Sequence, residues 1–120
     1  MGSELTDTHI ALAKLLSRLQ AGLQAQQLWA STPPSQAALS STQPFCVDTL
    51  SFEQWLQFVM IVRFRGMIQT SMPLPGNSDM AAMATEAFKG RSLPAVVAII
   101  RAIDELLSGP PPASTNKLTR

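Results

Sequence analysis

The sequence predicts an all-α fold: a compact four-helix domain with a long loop between the first two helices. Three observations carry that expectation. Apolar residues recur at helical spacing in separate stretches. Proline pairs and polar runs fall between those stretches. No period-two alternation bounded by hairpin turns occurs, so a sheet is not expected. A chain of 120 residues suits one domain with a modest core. Residues 1–109 are assigned to it, and the polar, Pro-rich residues 110–120 are expected to be a disordered tail.

The first helix is placed at about 5–29, with Leu5, Leu12, Leu16, Leu19 and Leu23 on one face. Gly22 is its soft spot, and Pro33-Pro34 forbids continuation. Residues 30–44 read as a connector over the surface, with one helical turn from Ser35 to Leu39.

The second helix, at about 52–69, opens on strong start signals. Ser51 and Gln54 have the spacing of a capping box, and Leu50 and Trp55 that of a hydrophobic staple. Glu53 lies in the first turn, where the helix dipole favours an anion. Leu56, Phe58, Val59, Met60, Ile61, Val62, Phe64, Met67 and Ile68 leave almost no polar face. Such a helix is expected at the centre, buried on several sides, with Gly66 at a close helix crossing.

Pro73-Leu74-Pro75-Gly76-Asn77 is a break. A third helix at about 78–88 follows, capped by Asn77 or Ser78 and closed by Gly90. The fourth, at about 93–107, is expected to be capped by Ser92, with Arg101, Asp104 and Glu105 on its narrow polar side.

Composition bounds function. Charged residues make up 14% of the chain and the net charge is +1, which gives no nucleic-acid footprint. One Cys excludes an internal disulfide and a Cys-based zinc site, and fits a reducing, cytoplasmic compartment. The apolar run Phe58 to Val62 is too short to span a bilayer. Residues 1–6 match a myristoylation pattern but read as an ordinary start, and no secretory signal is seen.

No phosphate loop, zinc motif or paired catalytic carboxylate occurs, so neither metal nor cofactor nor enzymatic activity is expected. His9 reads as an exposed surface residue and Cys46 as a buried, inert thiol. Asp48 is expected to satisfy backbone donors near the helix start, or to act as a site carboxylate. Arg63 and Arg65, two apart, point to different sides of a helix; one is expected to emerge into solvent and the other to pair with Asp48 or contact an anion. Trp29 and Trp55 read as core or half-buried.

The run Ser41-Thr42-Gln43-Pro44-Phe45-Cys46-Val47-Asp48-Thr49-Leu50, with Glu53, Trp55-Leu56-Gln57, Phe58-Val59 and Arg63, resembles the YqcC family of small bacterial proteins. Leu28-Trp29 and Pro73-Leu74-Pro75-Gly76 fit the same pattern, and the resemblance covers about residues 5–107. It implies a cytoplasmic four-helix domain without enzymatic activity. It also implies a link to a tRNA pseudouridine synthase of the TruC type, beside which family members are often encoded. This chain has neither the length nor the sheet-rich pattern of such an enzyme, so that label would describe a neighbour. One departure is Val62, where the family tends to carry Pro before the Arg; the central helix is expected to be less kinked for it.

The expected role is a non-catalytic accessory or interaction protein, linked to tRNA modification through a partner, with the synthase as the named candidate and a homodimer through apolar helix surface as a further expectation. A second reading is an RNA binder using Arg63, Arg65, Lys89, Arg91 and Arg101. A third is a small-molecule site around Gln43, Asp48, Trp55, Gln57 and Arg63, which requires those groups to converge.

Overall fold

The computed structural model describes residues 6–108 and is all-helical over them. Leu5, the residue 1–6 pattern apart from Thr6, and the 110–120 tail lie outside the described residues. Helix α1 spans Asp7–Ala25 and a short α2 spans Gln36–Leu39. A 3₁₀ turn, Pro44–Cys46, leads to one continuous helical run over 52–69. That run comprises α3 (Phe52–Trp55), a π turn (Leu56–Met60) and α4 (Ile61–Gln69). Helices α5 (Met80–Ala87) and α6 (Pro94–Leu107) complete the fold.

Helix α1 begins on a capping box that the sequence reading missed. The Thr6 hydroxyl accepts from the His9 backbone N–H, and the Thr6 N–H donates to His9 Nδ1. Imidazole thus takes the place usually filled by Glu or Gln. His9 Nε2 lies 2.7 Å from the Met72 carbonyl, which ties the start of α1 to the end of α4. His9 is therefore buried, not exposed as expected; the box and the Met72 contact are both formed inside the fold.

The helix stops earlier than the expected residue 29. Gln27 has φ 60°, its N–H reaches the Gln24 carbonyl, and the Leu28 N–H reaches the Leu23 carbonyl. This is a Schellman ending with Gln in the left-handed position that Gly usually fills. The 52–69 run ends the same way, with Ser71 at φ 56° and the Met72 N–H on the Met67 carbonyl. Neither ending carries the glycine by which such a stop is recognised in sequence.

The core is built chiefly by α1 against α6, with α5 on α6 and α4 on α1. Leu12, Leu16, Leu19 and Leu23 are fully buried, as are Leu56, Ile100 and Ile103. The 52–69 run is not wrapped on several sides as expected. Leu56, Met60, Ile61 and Phe64 face inward, whereas Val62 is 60% exposed. Phe52, Leu56, Met60 and Phe64 are buried at steps of four. At 3.6 residues per turn each such step drifts about 40°, so a regular helix would carry this row off the core. The π turn, with the Ile61 N–H on the Leu56 carbonyl, widens one turn and reduces that drift.

Gly66 marks no close crossing: a Cβ there would meet nothing within 4 Å. The glycine facing a neighbouring helix is Gly22, where a Cβ would lie 3.5 Å from Val96 Cγ2, an ordinary contact. Gly22→Ala is expected to raise stability by about 0.5–1 kcal/mol, read as a higher midpoint of thermal unfolding.

Two caps also differ from expectation. Neither Asn77 nor Ser78 is the N-cap of α5: the N-cap is Asp79, whose side chain makes no cap bond. The first N–H groups of α5 are taken by Asp104 of α6, with Met80 N at 2.9 Å from Oδ1 and Ala81 N at 2.7 Å from Oδ2. The Ser78 hydroxyl donates to the same carboxylate at 2.6 Å. Asp104, expected on a polar face, is thus buried. The N-cap of α6 is Leu93, not Ser92, which has φ 51°.

Candidate functional site

The loop from Ser41 to Leu50 and the first turns of the 52–69 run contain most of the residues singled out by the sequence. The Ser51–Gln54 capping box forms as expected, with Ser51 N 2.9 Å from Gln54 Oε1 and Gln54 N 3.2 Å from Ser51 Oγ. It fixes the point at which the loop becomes helix.

Backbone constraint is concentrated just before it. Phe45 and Cys46 are consecutive non-glycine residues at φ 58° and φ 50°. A left-handed conformation costs such residues on the order of 1 kcal/mol each and persists only where surroundings enforce it. Side-chain hydrogen bonds brace the loop on both sides of these two residues. The Ser41 hydroxyl donates to Asp48 Oδ1 at 2.5 Å and accepts from the Gln43 N–H at 3.1 Å. The Thr49 hydroxyl donates to the Ala38 carbonyl at 2.7 Å, which ties the loop to α2. Cys46 is buried, as expected.

The Phe45 ring then meets Trp55 edge-on, with centroids 4.8 Å apart. Trp55 stacks on Phe52 at 5.7 Å, and Phe52 meets Phe88 edge-on at 5.6 Å. Arg91 closes the row, its guanidinium 5.3 Å from the Phe88 centroid and 3.3 Å from Glu53 Oε2. This aromatic row joins the loop to the end of α5. Aromatic pairs of this kind contribute about 0.5–1.5 kcal/mol each beyond their buried area.

Gln57 faces the opposite way. Its amide is buried and grips the backbone of Ala30 from both sides: Oε1 accepts from the Ala30 N–H and Nε2 donates to the Ala30 carbonyl, each at 2.8 Å. A connector with no regular structure is thereby anchored to the core. Gln57→Ala is expected to cost about 1–2 kcal/mol, because both backbone groups of half-buried Ala30 lose their partner. Faster amide exchange at Ala30, with exchange in α6 little changed, would locate that loss in the connector.

The five candidate site residues thus have separate surroundings. Gln43 and Asp48 are exposed in the loop, Trp55 is half-buried in the aromatic row, Gln57 holds Ala30, and Arg63 is exposed. The expected Asp48–arginine pair is not formed: Asp48 bonds Ser41, and the one ion pair among the described residues is Arg91–Glu53. Two surface clefts lie elsewhere. One of about 300 Å³ is lined by His9, Pro73, Pro75 and Leu107, among others. The other, of about 440 Å³, is lined by Ala13, Ser17, Arg65, Ile68 and Gln69. None of the five lines either cleft. Among the described residues, no three His, Cys, Asp or Glu side chains gather as metal ligands, and no helix is long and apolar enough to cross a membrane.

The same loop and helix start carry the resemblance noted in the sequence, and comparison with known proteins agrees. Residues 11–106 match the DUF446 family, described as tRNA pseudouridine synthase C. The chain belongs to the DUF446 family. Among similar proteins, an uncharacterised protein of Haemophilus influenzae is 36% identical over 74 residues, 62% of this chain and 70% of that protein. The uncharacterised protein YqcC of Escherichia coli is 38% identical over 69 residues, 58% of this chain and 63% of that protein. The solution structure of E. coli YqcC superposes with a TM-score of 0.76 at 29% identity, over 87% of this chain and 91% of that one. A protein of Pectobacterium carotovorum subsp. carotovorum named tRNA pseudouridine synthase C is 30% identical over 73 residues, 61% of this chain but 19% of that protein. This chain is thus similar in sequence to a small part of a longer protein that bears the synthase name.

Proposed function

We propose that this protein is a non-catalytic accessory domain that works beside a tRNA pseudouridine synthase of the C type. The observation that carries the reading is the 19% coverage of the Pectobacterium synthase. The segment similar to this chain is about a fifth of a protein that carries the synthase name. A segment joined covalently to an enzyme stays at high effective concentration beside it. This chain is the counterpart of that segment in the same pairing.

The chemistry of the described residues supports a non-catalytic role. Asp48 is engaged by Ser41, Asp104 by α5 and Ser78, and His9 by Thr6 and Met72. Each group has an architectural use; the Thr6 hydroxyl, which lies beside His9 in the 300 Å³ cleft, accepts the His9 N–H as the cap of α1. The test is to mix the purified chain with a separate synthase C and transcribed tRNA. Expected are a complex on gel filtration, altered pseudouridine formation by the synthase, and no pseudouridine from the chain alone. Pseudouridine formed by the chain alone, or no complex and no effect on the synthase, would overturn the reading.

A further inference from the structure

One side of the 52–69 run is apolar and only partly covered by the rest of the fold. Trp55, Phe58, Val59 and Val62 follow the i, i+3, i+4, i+7 spacing that lines one side of a helix. Val62 is 60% exposed, the largest exposure among the bulky apolar side chains of the described residues. Phe58 and Val59 are half-buried and are not among the side chains packed on the core. Trp55 does pack on the core and anchors the row at one end. The π turn that keeps Leu56 and Met60 inside spans the same residues, so one local widening serves both faces.

The edges of this face are cationic. Arg63 and Arg65 are exposed, two residues apart, and so lie on different sides of the stripe. Among the described residues neither has a hydrogen bond or an ion pair. Arginine enters interfaces readily, because its planar fork matches carboxylates and its charge is weakly hydrated. An apolar strip with two free guanidinium groups beside it fits an apolar patch bordered by carboxylates.

We propose that this face docks on the catalytic portion of tRNA pseudouridine synthase C, through an apolar patch of that enzyme rimmed by Asp or Glu. The inference rests on the accessory role above, which names the partner; the helix face supplies the place and the charge pattern. Val62 and Phe58 enter the apolar patch, and Arg63 and Arg65 meet the acidic rim. The rim charges set association rate and salt dependence, while the apolar centre sets how long the complex lasts.

The experiment titrates the full chain against the separate synthase, for wild type, Val62→Glu, the double variant Arg63→Glu/Arg65→Glu, and Ala98→Glu on the exposed side of α6 as a control. Val62→Glu buries an unpaired charge in the complex but is solvated in the free chain. Affinity is expected to fall about tenfold or more, with helix content and unfolding temperature unchanged. The arginine variant is expected to weaken binding and flatten its salt dependence; the control is expected to bind like wild type. Wild-type affinity retained by Val62→Glu and by the arginine variant overturns this docking face but leaves the accessory role standing. Failure of the wild-type chain to bind the synthase, with or without tRNA, overturns both. A dimer of this chain in sedimentation that Val62→Glu abolishes, with synthase binding intact, reassigns the face to a second copy. Binding of tRNA alone that the arginine variant abolishes, with synthase binding intact, reassigns it to RNA.

Discussion

Asp104→Ala is expected to lower the stability of the domain by about 3 kcal/mol, measured by denaturant unfolding. Asp104 is buried on α6, yet its carboxylate serves the start of α5. Met80 and Ala81 are themselves buried, so their N–H groups cannot turn to water once the carboxylate is gone. Each such orphaned donor costs about 1–3 kcal/mol. The helix dipole adds to the loss, because it favours an anion at the start of α5. Asp104→Asn keeps the volume and one acceptor oxygen, but turns an amide N–H₂ towards the other donor; it is expected to recover about half of the loss. Ser78→Ala removes one of the three donors and should cost only about 1 kcal/mol. If Asp104→Ala unfolds like wild type, the junction between α5 and α6 does not depend on this carboxylate.

Leu16→Ala is expected to cost about 2–5 kcal/mol, while Val62→Ala on the free chain should change stability by no more than about 0.5 kcal/mol. Leu16 is fully buried on α1, the helix that packs against both α6 and α4. Removing its branched end leaves a hole that close-packed neighbours refill only in part. Val62 has most of its surface in water, so shortening it removes little burial. Thermal and denaturant unfolding of the two variants therefore report where the core lies. Comparable losses would return the 52–69 run to the buried centre that its composition suggests.

The helices were legible because local signals agreed. Ser51 and Gln54 predicted the start of the 52–69 run, and those bonds form. The leucine row of α1 predicted its buried face, and Leu12, Leu16, Leu19 and Leu23 are fully buried. Misreadings arose where one element completes another. Asp104 looks like a surface acid because its partners are more than twenty residues away in sequence, at 78–81. His9 looks exposed because the Met72 carbonyl that it meets is 63 residues distant. The end of α1 was hidden because Gln27 takes a conformation usually marked by glycine, whereas the 52–69 run ends where expected although Ser71 takes the same conformation. The proposed pairing of Asp48 with an arginine failed for a local reason: Ser41, seven residues away, reaches the carboxylate first.

The candidate site was legible as a stretch of chain but not as an arrangement. Residues 41–63 stand out in the sequence, yet the fold sends Gln57 inward to Ala30, Trp55 into an aromatic row and Arg63 to solvent. What the sequence by itself determined was the helical class, the number of long helices, the start of the 52–69 run and the family. Those follow from periodicity, capping chemistry and a dense local signature, all contained within short stretches. Only the tertiary structure decided which side of the most apolar helix is buried. Hydrophobicity in sequence counts apolar side chains but carries no direction; direction is set by the neighbours available to cover them. Here α1 and α6 cover each other, one side of the 52–69 run completes that core, and its other side is left facing outward with Val62 at its end.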